Sequence, residues 1–323
     1  MNILFPFFHL RAFESFKILL CDELDHEIYL LDNSWKYYIK YDFLFNEEEK
    51  GWLWLTKNEK IHFISYQEFL ESNKIDIIIA NCTENYYDIL CNIWPYKKNK
   101  CKFITYFGNE YIPYMSGIPF QIIKNHISAD VTSHNEAIKR NVNSIILRPP
   151  IDYNIFKYKP VENYKKIKGY IHNYFVWKSG FDIFNYIKNT VKKCEFSIYG
   201  KNGDGGILIK AEDVANSIYD SCAQFHVKDR EGYGLSLIEN LACGRPPILF
   251  RPFIKNKALT QWCTDKTSII FDTIPEGINK INRYLSDKEY AIKLQENASE
   301  IIRKEININT ESEKLKKFLG NLR

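Results

Sequence analysis

The chain has 323 residues, 45% of them apolar and 15% aromatic, which is enough for two ordinary domains with packed cores and excludes wholesale disorder. Its 44 Lys and Arg against 40 Asp and Glu leave a net charge of +4, which suits an anionic substrate or an acidic membrane surface without calling for nucleic acid. No apolar run approaches the ~20 residues that span a bilayer, and the N-terminus lacks a basic leader and a cleavage site, so a soluble cytoplasmic protein is expected.

Short β-type apolar runs alternate with helical spacing from the start. Strands are predicted at 3–5, 26–31, 61–65, 75–80 and 102–107, and helices at 12–23, 84–94 and 118–127. Short strands at 129–132 and 144–147 flank a helix at 135–140. Residues 33–60, with Trp35, Trp52, Trp54 and three consecutive glutamates, break the rhythm as a hairpin-like insertion or a loop. Alternating βα units predict a parallel sheet covered by helices on both faces. At Arg148-Pro149-Pro150-Ile151-Asp152 two prolines force an extended passage, and 157–168 is polar and charged, as a linker would be.

The rhythm restarts at Ile167. A strand at 168–171, a helix at 181–191, a strand at 195–199, a glycine-rich loop at 200–206, a helix at 213–221 and a strand at 223–228 follow. Beyond residue 250 come a strand at 268–271 and helices at 275–285, 287–302 and 310–322. The eight cysteines, at 21, 82, 91, 101, 194, 222, 243 and 263, show no CxxC pair and no regular spacing. They read as reduced core thiols rather than as a disulfide frame or a zinc site.

The most informative stretch is Asp229-Arg-Glu-Gly-Tyr-Gly-Leu-Ser-Leu-Ile-Glu-Asn-Leu-Ala-Cys-Gly-Arg-Pro-Pro-Ile-Leu-Phe250. Glu231 and Glu239 bracket a Gly-Tyr-Gly turn that runs into a short apolar-striped helix ending at Gly244 and Pro246, with a strand at 247–250 behind it. Glycines let a backbone approach a ligand closely. Free N–H groups at a helix start face an anion. A carboxylate one turn further in can accept hydrogen bonds from a diol such as a ribose. The layout suits a ligand that carries both phosphate and sugar.

The segment resembles the donor-site signature of retaining GT-B glycosyltransferases, family 4 in particular: Glu, Gly, aromatic, Gly, Leu, a second Glu, a small-residue run and Gly-x-Pro. The resemblance implies an α/β protein of GT-B architecture, two Rossmann-like domains facing across a cleft. It implies an acceptor-side domain over 1–150, a linker over 151–166, a nucleotide-sugar domain over 167–305, and a final helix over 306–323 packing back on the first domain. The implied activity moves a sugar from a nucleotide diphosphate sugar to a hydroxyl of a glycan, glycoprotein or lipid-linked acceptor. Peripheral membrane contact is compatible with it, and no nucleic acid is expected.

Carried over residue by residue, Lys178, in Trp177-Lys178-Ser179-Gly180, matches the lysine that binds the diphosphate. Gly232, Tyr233 and Gly234, with the backbone of Leu235 and Ser236, would cradle the diphosphate and sugar. Glu239 would accept from the ribose hydroxyls, and Glu231 would meet the donor sugar near the reacting carbon. An arginine that precedes the lysine in relatives is missing, and His172 or Asn173 takes its place. Gly200, in the glycine-rich loop, would flank the nucleotide base. Where relatives carry a histidine the chain reads Gly108-Asn109-Glu110, so Asn109 or Glu110 would contact the donor sugar, and His9 sits where relatives have a glycine turn.

No Asp-x-Asp stands at a strand end, so neither a catalytic metal nor any other cofactor is expected. A serine elbow, an HExxH motif and a Walker A loop are also absent. Set against the enzyme is a catalytically degenerate GT-B protein that binds nucleotide sugar or glycan without turnover, which the missing arginine and histidine motivate.

Overall fold

The computed structural model describes residues 1–6, 10–31, 58–81, 100–107, 124–173, 178–208, 210–229, 233–255 and 257–322, with side chains 10–12, 81, 107, 172, 173 and 178 outside the description. The chain divides into two compact units, Met1–Pro150 with Ile306–Arg323, and Ile151–Glu305.

In the first unit β1 (Asn2–Phe5), β2 (Glu27–Leu31), β3 (Ile61–Ile64), β4 (Ile77–Asn81), β5 (Lys102–Phe107), β6 (Asn125–Ser128) and β7 (Asn143–Ile146) form one sheet in the order β3-β2-β1-β4-β5-β6-β7. Every pairing is parallel. Ile77 to Ala80 are all buried, the continuous apolar run that a doubly covered parallel strand requires. The order is the doubly wound one, with its switch point between β1 and β4. Helix α1 (Leu10–Lys17) runs on into a π-helical turn, Ile18–Glu23, which buries Ile18 to Cys21 in succession and packs against the helix at Ile308–Gly320. Helix α2 (Tyr66–Glu71), unforeseen from the sequence, starts on a capping box: Ser65 Oγ accepts from Glu68 N at 3.1 Å while the Glu68 carboxylate accepts from Ser65 N at 2.8 Å.

Two sequence expectations are corrected here. In place of a helix over 118–127 and a strand over 129–132, Asn125–Ser128 is a strand and Val131–Lys139 is a helix, α3. Residues 118–123 lie outside the description. Asp130 caps α3, its side chain accepting from Ser133 N at 2.9 Å. Strand β6 is polar in sequence yet fully buried, so hydropathy does not reveal it. Two of its polar groups are engaged inside the sheet: Asn125 Nδ2 donates to the Phe103 carbonyl at 3.2 Å, and His126 Nδ1 pairs with Thr105 Oγ1 at 2.8 Å. Burial pulls His126 down to about 3, so the ring is neutral. The expected helix at 84–94 and most of the insertion at 33–60 lie outside the described residues.

In the second unit β8 (Lys166–Asn173), β9 (Glu195–Lys201), β10 (Ala223–Phe225), β11 (Pro247–Phe250) and β12 (Ile269–Phe271) pair in the order β12-β11-β10-β8-β9, all parallel. The connecting helices are α4 (Lys178–Thr190), α5 (Ala211–Tyr219), α6 (Leu235–Ala242), α7 (Arg251–Ile254) and α8 (Ile274–Ser286), with α9 (Lys288–Glu305) closing the unit. Aromatic rings fill the core, Phe184 standing edge-on to Phe225 at 5.2 Å and to Phe196 at 5.9 Å. The strand expected over 223–228 ends at Phe225, and β9 runs into the expected loop as far as Lys201.

Helix α10 (Ile308–Gly320) belongs to the first unit. Its buried Glu311 accepts from the backbone N–H of Arg148 at 2.8 Å and from Lys314 Nζ at 2.6 Å. Asn143 Nδ2 donates to the Asn321 carbonyl at 3.3 Å. Among the described residues no helix is long and apolar enough to cross a membrane. The six described cysteines are free.

Candidate functional site

Counted within the second unit, the strand order is 2-1-3-4-5, with the switch point between β8 and β10. There the chain leaves one strand for β9 and the next for β11, and the connections diverge from a crevice at the carboxyl ends. His172 and Asn173 are the last residues of β8, and Lys178 is the first of α4, so sequence places all three at that edge. Two glycines set the spacing. A Cβ on Gly180 would stand 1.7 Å from the Val227 carbonyl oxygen, so only glycine lets the first turn of α4 lie on the backbone that follows β10. A Cβ on Gly169 would meet the Phe225 carbonyl oxygen at 2.8 Å.

That backbone leads into α6. Gly234 takes a left-handed conformation, φ 75° and ψ 59°, at the N-cap and offers no side-chain cap. Its carbonyl accepts from Leu237 N at 2.9 Å and Ile238 N at 3.1 Å. Among the described residues the first-turn N–H groups of Leu235 and Ser236 therefore lack the capping side chain a helix start normally uses, and the positive end of the helix dipole faces the same way. Glu239 lies one turn on and is 4% exposed. Burial raises the Tyr170 hydroxyl and, to about 12, the Cys243 thiol, and Glu239 pushes both in the same direction.

Tyr233 is buried with its ring against Trp262, centroids 5.3 Å apart and planes at 71°, so it offers a ligand its backbone and not its ring. Gly200 has a structural reason of its own. At φ 135° a Cβ there would stand 2.0 Å from the Ile171 carbonyl oxygen, and the following turn folds back on β9 through Gly200 N to Gly206 O at 2.7 Å and Gly205 N to Ile198 O at 2.9 Å. Asn109, Glu110, His9, Glu231 and Gly232 lie outside the described residues.

A buried polar layer beneath α6 escaped sequence reasoning. Gln224 and His226 alternate with Ala223, Phe225 and Val227, so period two sends both to one face of the central strand, and Asn240 is buried on α6. The alternation is visible in the sequence, but two polar residues inside an apolar strand read as an edge. A separate hollow of about 310 Å³ lies among Phe184, Lys188, Asn202 and Asp204 and shares no residue with the start of α6. Among the described residues no three His, Cys, Asp or Glu side chains cluster closely enough to hold a metal ion.

No family model and no curated protein matches the sequence. Solved structures do match the fold. The chain is similar to HepE of Anabaena in complex with UDP-glucose, 12% identical with a TM-score of 0.71 over 100% of both chains. It is similar to a sucrose-phosphate synthase of Thermosynechococcus elongatus, 12% identical at 0.65 over 99% of this chain and 98% of that one. A third match is the lipopolysaccharide outer core galactosyltransferase WaaB in its apo form, 12% identical at 0.62 over 99% of each. At these identities the likeness is one of fold, and with two wholly parallel α/β units the chain has the GT-B architecture.

Proposed function

We propose that the chain is a retaining glycosyltransferase that moves a sugar from a nucleoside diphosphate donor to a hydroxyl of a glycan, glycoprotein or glycolipid acceptor, with no metal. The observation that carries this reading is the uncapped, glycine-opened start of α6 at the switch point of a parallel sheet. Structures with the same fold include one that holds UDP-glucose and one of a galactosyltransferase, which supports the reading. The six described cysteines are free, which suits a cytoplasmic protein.

The difficult part of the reaction is the leaving group. As the bond from the anomeric carbon to the diphosphate breaks, negative charge builds on phosphate oxygen. The N–H groups of Leu235 and Ser236, the α6 dipole and the Lys178 ammonium are placed in this reading to stabilise it. Glu239 accepts from the ribose hydroxyls, and Glu231 holds the donor sugar. The acceptor hydroxyl attacks from the face that the diphosphate leaves, and a departing phosphate oxygen takes its proton. The new bond therefore keeps the anomeric configuration without a carboxylate nucleophile.

The test is a thermal-shift and NMR screen of UDP-, GDP-, ADP-, TDP- and CMP-sugars on the wild type, Glu239→Ala and Lys178→Ala. Stabilisation by one donor that both substitutions abolish, followed by a product of retained anomeric configuration, is the expected result. No response to any donor overturns the reading. Binding that never yields product leaves a nucleotide-sugar binding protein instead.

A further inference from the structure

We propose that Gln224 is a positioning residue for anion recognition: it holds the Ser236 hydroxyl as a hydrogen-bond donor aimed at the diphosphate. The inference rests on the donor-site reading above. Gln224 lies in β10, the middle strand of the five, and is 0% exposed. Its neighbours Ala223 and Phe225 belong to the aromatic core, so the amide points to the opposite face, toward α6. There Gln224 Nε2 donates to Ser236 Oγ at 3.3 Å. Asn240, also 0% exposed, donates through Nδ2 to the Ser236 carbonyl at 2.8 Å. Ser236 is thus held by its hydroxyl oxygen and by its carbonyl at once.

Packing alone does not call for polar side chains at these two positions. Gln224 Oε1 and Asn240 Oδ1 are buried and accept no hydrogen bond among the described residues. An amide oxygen buried without a donor destabilises a fold, and leucine or methionine would fill the same space without that penalty. What the arrangement gains is control of one proton. A serine hydroxyl has one proton and two lone pairs. With a Gln224 N–H on one lone pair, the proton remains for another acceptor. Ser236 is the member of the three that is only half-buried, and it sits at the second position of α6, where the uncapped backbone N–H groups begin. Hydroxyl and helix N–H groups then serve the same anion. Turned the other way, with its proton given inward, the serine would present lone pairs to a phosphate and repel it.

The experiment is calorimetric titration with UDP, GDP, ADP and dTDP, and NMR titration with the matching nucleosides. The proteins are the wild type, Gln224→Leu, Ser236→Ala and the double variant, each with its melting temperature. Gln224→Met, unbranched and of similar length, serves if leucine disturbs β10. Four results are expected together. Gln224→Leu melts at or above the wild-type temperature. It weakens the bound diphosphate about tenfold, the loss of one hydrogen bond to a charged group. The double variant is no weaker than Ser236→Ala alone, because the glutamine acts only through the serine. Nucleoside affinity is unchanged, which a merely structural role for Gln224 would not produce. Wild-type affinity for the diphosphate in Gln224→Leu, additive losses in the double variant, or an equal loss for the nucleoside each overturns the inference and leaves the donor site standing. Failure of every diphosphate to bind the wild type removes the donor-site reading itself, and this role with it.

Discussion

Two sets of polar side chains buried around α6 are in opposite states. At the C-terminal end Arg245, 2% exposed, follows a left-handed Gly244 and places four of its N–H groups on backbone carbonyls. Nε donates to Ser221 O at 2.9 Å, Nη2 to Tyr219 O at 3.2 Å, and Nη1 to Cys243 O at 2.5 Å and to the Lys159 carbonyl. Burial lowers its pKa, but an arginine starts so high that the charge persists. Along the inner face of α6, Gln224 and Asn240 leave buried oxygens unmatched among the described residues. A saturated inclusion rivets segments together, here the entry passage at Lys159 to the loops around α6. An unsaturated one costs stability and is retained where a ligand can use what it orients.

That contrast can be broken by mutation. Arg245→Met should be the most damaging change, because it leaves four buried carbonyls without donors. A loss of about 3–5 kcal/mol is expected, a fall of roughly 10 °C in melting temperature by calorimetry. Arg245→Lys should recover little of it, since an ammonium lacks the fork. A fall under 2 °C would show that the rivet is dispensable.

Gly180→Ala comes next. Its methyl would collide with the Val227 carbonyl at 1.7 Å, and backbone cannot swing aside as a side chain can. We expect about 2–4 kcal/mol of destabilisation, and nucleotide affinity falling with it because both sides of the crevice shift. Unchanged affinity in a destabilised Gly180→Ala would dissociate α4 from the site.

Glu239→Gln keeps the size and removes only the charge. It should weaken nucleoside diphosphate binding about tenfold while stability moves by less than about 1 kcal/mol. The opposite pattern, a large stability loss with intact binding, would make Glu239 a fold residue like Arg245.

The smallest effect is electrostatic. Burial alone would raise the Asp220 carboxyl, but hydrogen bonds from Lys166 and Lys168 hold it below its ordinary value of 3.8. A carboxyl depressed in the folded state contributes its stability above the unfolded pKa and loses it as pH falls through the folded one. The wild type should therefore lose slightly more stability than Asp220→Asn as the pH drops below about 4, read as the difference between two melting curves. Parallel curves would assign the pair no role.

The parallel βα rhythm and the α6 signature were legible because apolar periodicity and turn glycines dominate there. The short helix that Gly234 opens and the strand at Pro247–Phe250 lie where spacing places them. Sequence was silent where polar residues are buried. Strand β6, Asn-His-Ile-Ser, engages Asn125 Nδ2 and His126 Nδ1 laterally within the sheet, and nothing in hydropathy marks it as internal. The Gln224 layer is hidden for the same reason. Helix α2 carried a readable capping box but only six residues, too short for periodicity to register. The helix predicted over 12–23 covers the turn after α1, but 3.6-residue spacing does not foretell that this turn is π-helical and buries four neighbours in a row.

The first unit is interrupted in sequence by the whole of the second, and this bears on how the protein is made. A ribosome releases residues 1–150 long before α10, and at about 5–20 residues per second the gap is roughly 10–30 s. Through that interval the backbone N–H of Arg148 waits for Glu311, and the π-helical turn after α1 lacks its packing partner. The second unit emerges contiguous and can fold on its own schedule. The nascent chain thus completes its later unit first and its earlier unit last, leaving an open apolar flank for a chaperone to shield during synthesis.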